Sequence, residues 1–68
     1  MYKGVLSMNI KYYRFEVTQS FKNLVSKYGI EGISDINIGE ECKDVGITYR
    51  KLLDWDYNKG ELDIFVED

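Results

Sequence analysis

Carboxylates are the commonest groups in this chain that could do acid–base or metal chemistry. Twelve Asp and Glu stand against nine Lys and Arg, with no histidine and one cysteine, Cys42. Without histidine there is no Ser/His or Cys/His pair to generate a nucleophile, and most zinc sites lose their usual ligands. No glycine-rich phosphate loop or dinucleotide fingerprint occurs. Paired carboxylates can act as acid and base only where a sheltered pocket keeps one protonated, and 68 residues seldom enclose such a pocket. Asp54 with Asp56, and Glu40 with Glu41, therefore read as surface charge, and no spacing matches a calcium loop. The expectation is a protein with no catalytic residues, no metal and no cofactor.

What remains is recognition, and the charge is distributed unevenly enough to suggest where. Residues 1–37 hold five Lys/Arg against three Asp/Glu, whereas residues 38–68 hold four against nine. An acidic surface is repelled by phosphate backbones, so direct DNA binding starts at a disadvantage. The lone cysteine allows no internal disulfide and fits a reducing compartment. No apolar run approaches the ~18 residues of a membrane span, and the N-terminus lacks signal-peptide blocks, so the expected location is the cytoplasm.

The element that must position the acidic groups lies between Val45 and Glu67. Val45, Ile47, Tyr49, Leu53, Trp55 and Tyr57 occupy alternate positions, with Thr48, Arg50, Asp54 and Asp56 between them. Beyond Gly60, Leu62, Ile64 and Val66 alternate with Glu61, Asp63 and Glu67. Side chains on a strand point alternately to opposite faces, so the pattern predicts a β-hairpin with strands at about 47–57 and 61–67. A four-residue loop, Tyr57–Gly60, would set Trp55 opposite Leu62, Leu53 opposite Ile64, Leu52 opposite Phe65 and Arg50 opposite Glu67. On the polar face, Asp54, Asp56, Glu61 and Asp63 would form a rectangle of negative charge.

The rest of the chain supplies the support. Asn9–Val17 is rich in strand formers, with Tyr13, Phe15 and Val17 on one face. A helix is expected at about 19–28, capped by Thr18 or Ser20 and ended by Gly29. Its apolar stripe is Phe21, Leu24, Val25 and Tyr28. Ile33, Ile36 and Ile38 suggest a short strand, and Glu40, Glu41, Lys43 and Asp44 a solvated loop or single turn. Cys42 reads as a small half-buried side chain. With no proline and no linker, residues 1–68 read as one α+β domain, one helix on a small antiparallel sheet, with 1–8 as a flexible lead-in.

Small, acidic, aromatic-rich chains of this character resemble phage- or mobile-element-encoded inhibitors, including DNA mimics and some anti-CRISPR proteins. That resemblance implies a protein-binding module that inhibits a nucleic-acid-handling protein by filling its basic groove. The residues in question are Asp54, Asp56, Glu61 and Asp63, with Trp55 and Phe65 as aromatic anchors. A second resemblance is local. Ile38-Gly39-Glu40, Cys42, Gly46-Ile47-Thr48-Tyr49-Arg50, Leu52 and Trp55 are similar to the start of a winged helix-turn-helix domain of the MerR and excisionase kind. It implies a first helix over Gly39–Val45, a recognition helix over Thr48–Asn58, and DNA contacts from Thr48, Tyr49, Arg50 and Lys51. The strand pattern is the preferred reading, because on a helix Tyr49, Leu52, Leu53, Trp55 and Tyr57 would spread over more than half the circumference. A third class is an assembly subunit, a homodimer in which strand faces of two copies pair.

Overall fold

The last strand of the chain is the middle strand of its sheet. In the computed structural model, which describes residues 9–68, the order is β1 (Ile10–Glu16), α1 (Gln19–Tyr28), a short 3-10 turn (Ile30–Gly32), α2 (Asp35–Asp44), β2 (Lys51–Asn58) and β3 (Glu61–Glu67). β3 pairs antiparallel with both neighbours, giving the strand order β1-β3-β2. The fold is α+β, and the central place goes to the strand with the most apolar inner face. Leu62, Ile64 and Val66 are all fully buried. Each such side chain contributes about 1.5–3 kcal/mol by leaving water. Phe21 of α1, Ile38 and Cys42 of α2, and the connecting residues Val17 and Ile33 complete the core. The expectation of a flexible lead-in at residues 1–8 lies outside the described residues.

Helix α1 forms where its periodicity puts it. Thr18 accepts the Phe21 N–H at its start, and Gly29 leaves it at φ 76°. Phe21 is buried and Leu24 and Val25 are half-buried against the core, but Tyr28 is 56% exposed. Tyr28 lies against the backbone of Gly32 instead, so closely that a Cβ there would sit 2.8 Å from its own.

The region from Ile33 to Asp44 corrects the sequence reading. It holds a helix, α2, rather than a short strand and a loop. Ser34 caps it reciprocally with Asn37, each side chain receiving the other's backbone N–H. Ile38, Glu41 and Cys42 fall on its buried side at i, i+3 and i+4. The stripe is hard to see in the sequence because its middle member is a carboxylate. Glu41 is 3% exposed, so it is not surface charge. Its oxygens accept the Thr18 N–H and the Thr18 hydroxyl (2.8 Å) at the start of α1. Glu40, its neighbour, is exposed.

The hairpin also differs in detail. β2 begins at Lys51 rather than at 47, because α2 ends in a Schellman motif that consumes the preceding residues. Gly46 (φ 84°) donates to the Lys43 carbonyl and Ile47 to that of Cys42. The turn has two residues, Lys59 and Gly60, both left-handed at φ 52° and 83°, as a type I′ turn requires. The register is therefore two residues tighter than the four-residue loop implied. Trp55 faces Ile64, Tyr57 faces Leu62, Asn58 faces Glu61, and Lys51 rather than Arg50 faces Glu67. A bulge at Leu53, between Leu52↔Val66 and Asp54↔Phe65, removes Leu53 from the ladder. It also switches the inward parity, so Leu52 is half-buried and Leu53 exposed. The recognition helix expected over Thr48–Asn58 does not form, since Lys51–Asn58 is strand. The first helix of that reading, Gly39–Val45, coincides with the second half of α2.

Candidate protein-interaction face

Alternation along three paired strands gives the sheet two chemically different faces. The odd residues of β1 and the even residues of β3 meet the helices, and the others point away from them. The outer face is thus built in cross-strand rows: Glu16, Glu61 and Asn58; Arg14, Asp63 and Asp56; Tyr12, Phe65 and Asp54; Ile10, Glu67 and Lys51. Ile10, Tyr12 and Phe65 are 56%, 52% and 42% exposed on it. The rings of Tyr12 and Phe65 lie side by side, 5.0 Å between centroids and tilted by 36°.

Asp63 is the best-held carboxylate of this face. The Arg14 Nε donates to its Oδ1 at 2.8 Å and Nη2 to Oδ2 at 3.3 Å, while the Tyr12 hydroxyl donates to Oδ1 at 2.9 Å. The guanidinium, and then the phenol, hold the Asp63 carboxyl below the usual carboxylate range. The same hydrogen bond raises the Tyr12 phenol, and the carboxylate raises the Arg14 guanidinium. Glu61 lies at 3.8 Å from Arg14 Nε, and Glu67 is paired with Arg50 at 2.8 Å. Asp56 sits directly opposite Asp63, a like-charge pairing that a sheet normally disfavours, and Arg14 offsets it from the other side. Asp54 uses one oxygen to accept the Trp55 N–H just past the bulge (2.9 Å). Among the described residues neither Asp54 nor Asp56 has a cation within ion-pair distance.

Of the residues expected to form a site, Asp54, Asp56, Glu61, Asp63 and Phe65 share this face. They do not make the expected rectangle: Glu61 faces Asn58, Asp54 faces Phe65, and only Asp56 and Asp63 are directly opposed. Trp55 is on the other face, half-buried, with its indole Nε1 donating to Asp35 Oδ1 of α2 at 3.2 Å. It braces α2 on the sheet and does not belong to the acidic face. Sequence reasoning missed Tyr12 and Arg14. Their alternation with Tyr13 and Phe15 was visible, but nothing in their spacing said that β1 would pair with β3.

The residues of the helix-turn-helix alternative share no helix. Thr48 and Tyr49 line a shallow pocket of about 340 Å³ beside α2, with Ile36, Gly39, Glu40, Lys43 and Ile47. Arg50 is committed to Glu67, and Lys51 opens β2. Among the described residues no three His, Cys, Asp or Glu side chains converge where a metal ion could sit. No helix among them is long and apolar enough to cross a membrane. No family model, curated protein or solved structure matches this chain.

Proposed function

We propose that the chain is a non-catalytic protein-binding module that presents the outer face of its sheet to a partner with a basic surface. The observation that carries the reading is the exposed Tyr12–Phe65 ring pair set among Asp54, Asp56 and Asp63. Aromatic side chains at the centre of a patch, ringed by polar groups, are the usual anchors of protein interfaces. A partner's Arg or Lys laid over these rings gains from the ring faces and from the two uncompensated carboxylates at once. A nucleic-acid-handling protein offers such a surface in the groove that takes phosphates. Inhibition by occupying that groove, in the cytoplasm, is the specific form of the proposal. The buried free thiol of Cys42 is in keeping with that compartment.

The DNA-binding alternative lacks an observation of this kind, because Thr48, Tyr49, Arg50 and Lys51 share no helix. The test is to immobilise the chain and compare capture of a partner by wild type, by Asp54→Lys/Asp56→Lys and by Phe65→Ala, with DNA retardation at low salt alongside. Both variants are expected to lose the partner, and the wild type is expected not to retard DNA. Capture that survives both, or salt-dependent DNA binding by the wild type, would count against it.

A further inference from the structure

The two edges of the sheet are not alike. β2 is guarded by its sequence: the bulge at Leu53 breaks the ladder, and its Asp54 and Asp56 would meet like charges in a neighbouring β2. β1 has no bulge, and its charges, Lys11, Arg14 and Glu16, are of mixed sign, with Lys11 on the helix-facing side paired to Asp68 at 2.9 Å. Ile10–Glu16 pairs with β3 residue by residue, without bulge, glycine or proline. Its bonds to β3 start from odd positions. The Asn9 carbonyl accepts from Asp68 (2.9 Å) and the Val17 N–H donates to Gly60 (3.0 Å). Successive residues of a strand bond to opposite sides, so Ile10, Tyr12, Arg14 and Glu16 direct their N–H and C=O groups to the open edge. Among the described residues, no group from outside the sheet bonds to them. Tyr13 and Phe15, on the helix-facing side of the same edge, pack against the core yet stay half-buried.

We infer that this edge is a strand-addition site whose occupant is the β1 edge of a second copy, the two strands antiparallel about a two-fold axis at Tyr13. The sequence of β1 is complementary to itself in that register. Ile10 lies opposite Glu16 of the second copy, Tyr12 opposite Arg14, and Lys11 opposite Phe15, each pairing occurring twice. The full strand overlaps, no like charges are directly opposed, and a guanidinium lies beside a phenol ring on both sides of the axis; the two Arg14 side chains are diagonal neighbours, each neutralised by its own Asp63. Moving the axis to Arg14 sets two guanidinium groups against each other. Moving it to Tyr12 sets Phe15 opposite Asn9, outside β1, and takes Glu16 past the first described residue. A shift by one residue puts the edge groups out of phase. Pairing about Tyr13 covers the half-buried Tyr13 and Phe15 and satisfies the edge donors by main-chain bonds, as in other strand additions. It leaves the Asp54 and Asp56 side of each outer face free.

Sedimentation equilibrium over a wide concentration range, combined with amide hydrogen exchange, tests this. A monomer–dimer equilibrium is expected, with the Tyr12 and Arg14 amides slowing about tenfold or more as the dimer fills. Lys11, Tyr13 and Phe15, bonded within the copy, stay slow throughout. Arg14→Pro removes one outward main-chain donor and no main-chain bond to β3, and leaves a monomer, whereas Arg14→Ala, which loses the same side-chain bonds to Asp63, still dimerises. Tyr13→Cys oxidises to a covalent dimer more readily than Lys11→Cys, because only residue 13 faces itself. If Arg14→Pro fails to fold, exchange in the wild type still decides. A monomer at all concentrations, fast Tyr12 and Arg14 amides in a dimer, or preferred cross-linking at residue 11 would overturn the inference.

Discussion

The carboxylate of Glu41, on the buried side of α2, accepts both the backbone N–H and the hydroxyl of Thr18 at the first turn of α1. One side chain thereby supplies partners for a helix start and fastens the two helices to each other. The Thr18 hydroxyl remains able to accept from Phe21, so the arrangement is a chain from Phe21 through Thr18 to Glu41. No buried side-chain polar atom among the described residues is left unpaired.

Removing that carboxylate should be costly for so small a domain. Glu41→Ala leaves the Thr18 donors facing a core and is expected to cost about 2–3 kcal/mol. Glu41→Gln keeps one acceptor and the shape, and should cost roughly half as much. Urea unfolding of the two variants against wild type measures both. A loss below about 0.5 kcal/mol for Glu41→Ala, the range of ordinary surface changes, would show that the bond is not formed in solution.

This residue also marks where the sequence was hardest to read. Capped by Thr18 and closed by Gly29, α1 was legible because its cap and its apolar stripe agree. Helix α2 was not, because its inward positions run Ile38, Glu41, Cys42, and a carboxylate in a core stripe reads as a loop until its partner, far away in sequence, is known. The hairpin was legible in its alternation and wrong in its register. Glycine at position 60 offers the left-handed conformation openly, but Lys59 is left-handed as well, which its type does not announce. The acidic face was legible on β2 and β3 alone, since the cation and phenol that hold Asp63 come from β1.

The turn itself gives a second prediction. Asn adopts the left-handed region more readily than Lys, so Lys59→Asn should stabilise the hairpin by about 0.5–1 kcal/mol. Gly60→Ala should destabilise it by about 1–2 kcal/mol. Thermal unfolding of both variants checks the type I′ assignment, and equal effects from the two would contradict it.

Asp63 sets a pH dependence whose sign follows from its depressed pKa. The folded state holds the ionised form more strongly than the unfolded chain does. The contribution is complete above the unfolded carboxylate's range and is lost as pH falls through the lower folded value. Arg14→Ala should move the Asp63 titration upward and flatten the acid limb of the stability curve. Tyr12 acts in the opposite sense at the alkaline end: its raised pKa favours the folded state until pH rises through it. Carboxyl and phenol resonances followed by NMR titration report both groups directly.

Cys42 is fully buried, and burial, reinforced by the neighbouring Glu41 charge, pushes its thiol up to about 11, with the Tyr49 hydroxyl pulling the other way. At mildly alkaline pH almost no thiolate exists in the folded state. A thiol-specific disulfide reagent is expected to label Cys42 only through unfolding, at a rate that follows the stability of each variant. Rapid labelling of the native protein would place the thiol at the surface.

The proposed partner surface is the outer face of the sheet, not the pocket beside α2. The most direct measurement is the amide spectrum of the isotope-labelled chain during titration with the captured protein. Tyr12, Asp54, Asp56, Asp63 and Phe65 are expected to shift or broaden first. Changes concentrated instead at Ile36, Glu40, Lys43, Thr48 and Tyr49 would contradict that expectation and move the site to the other side of the molecule.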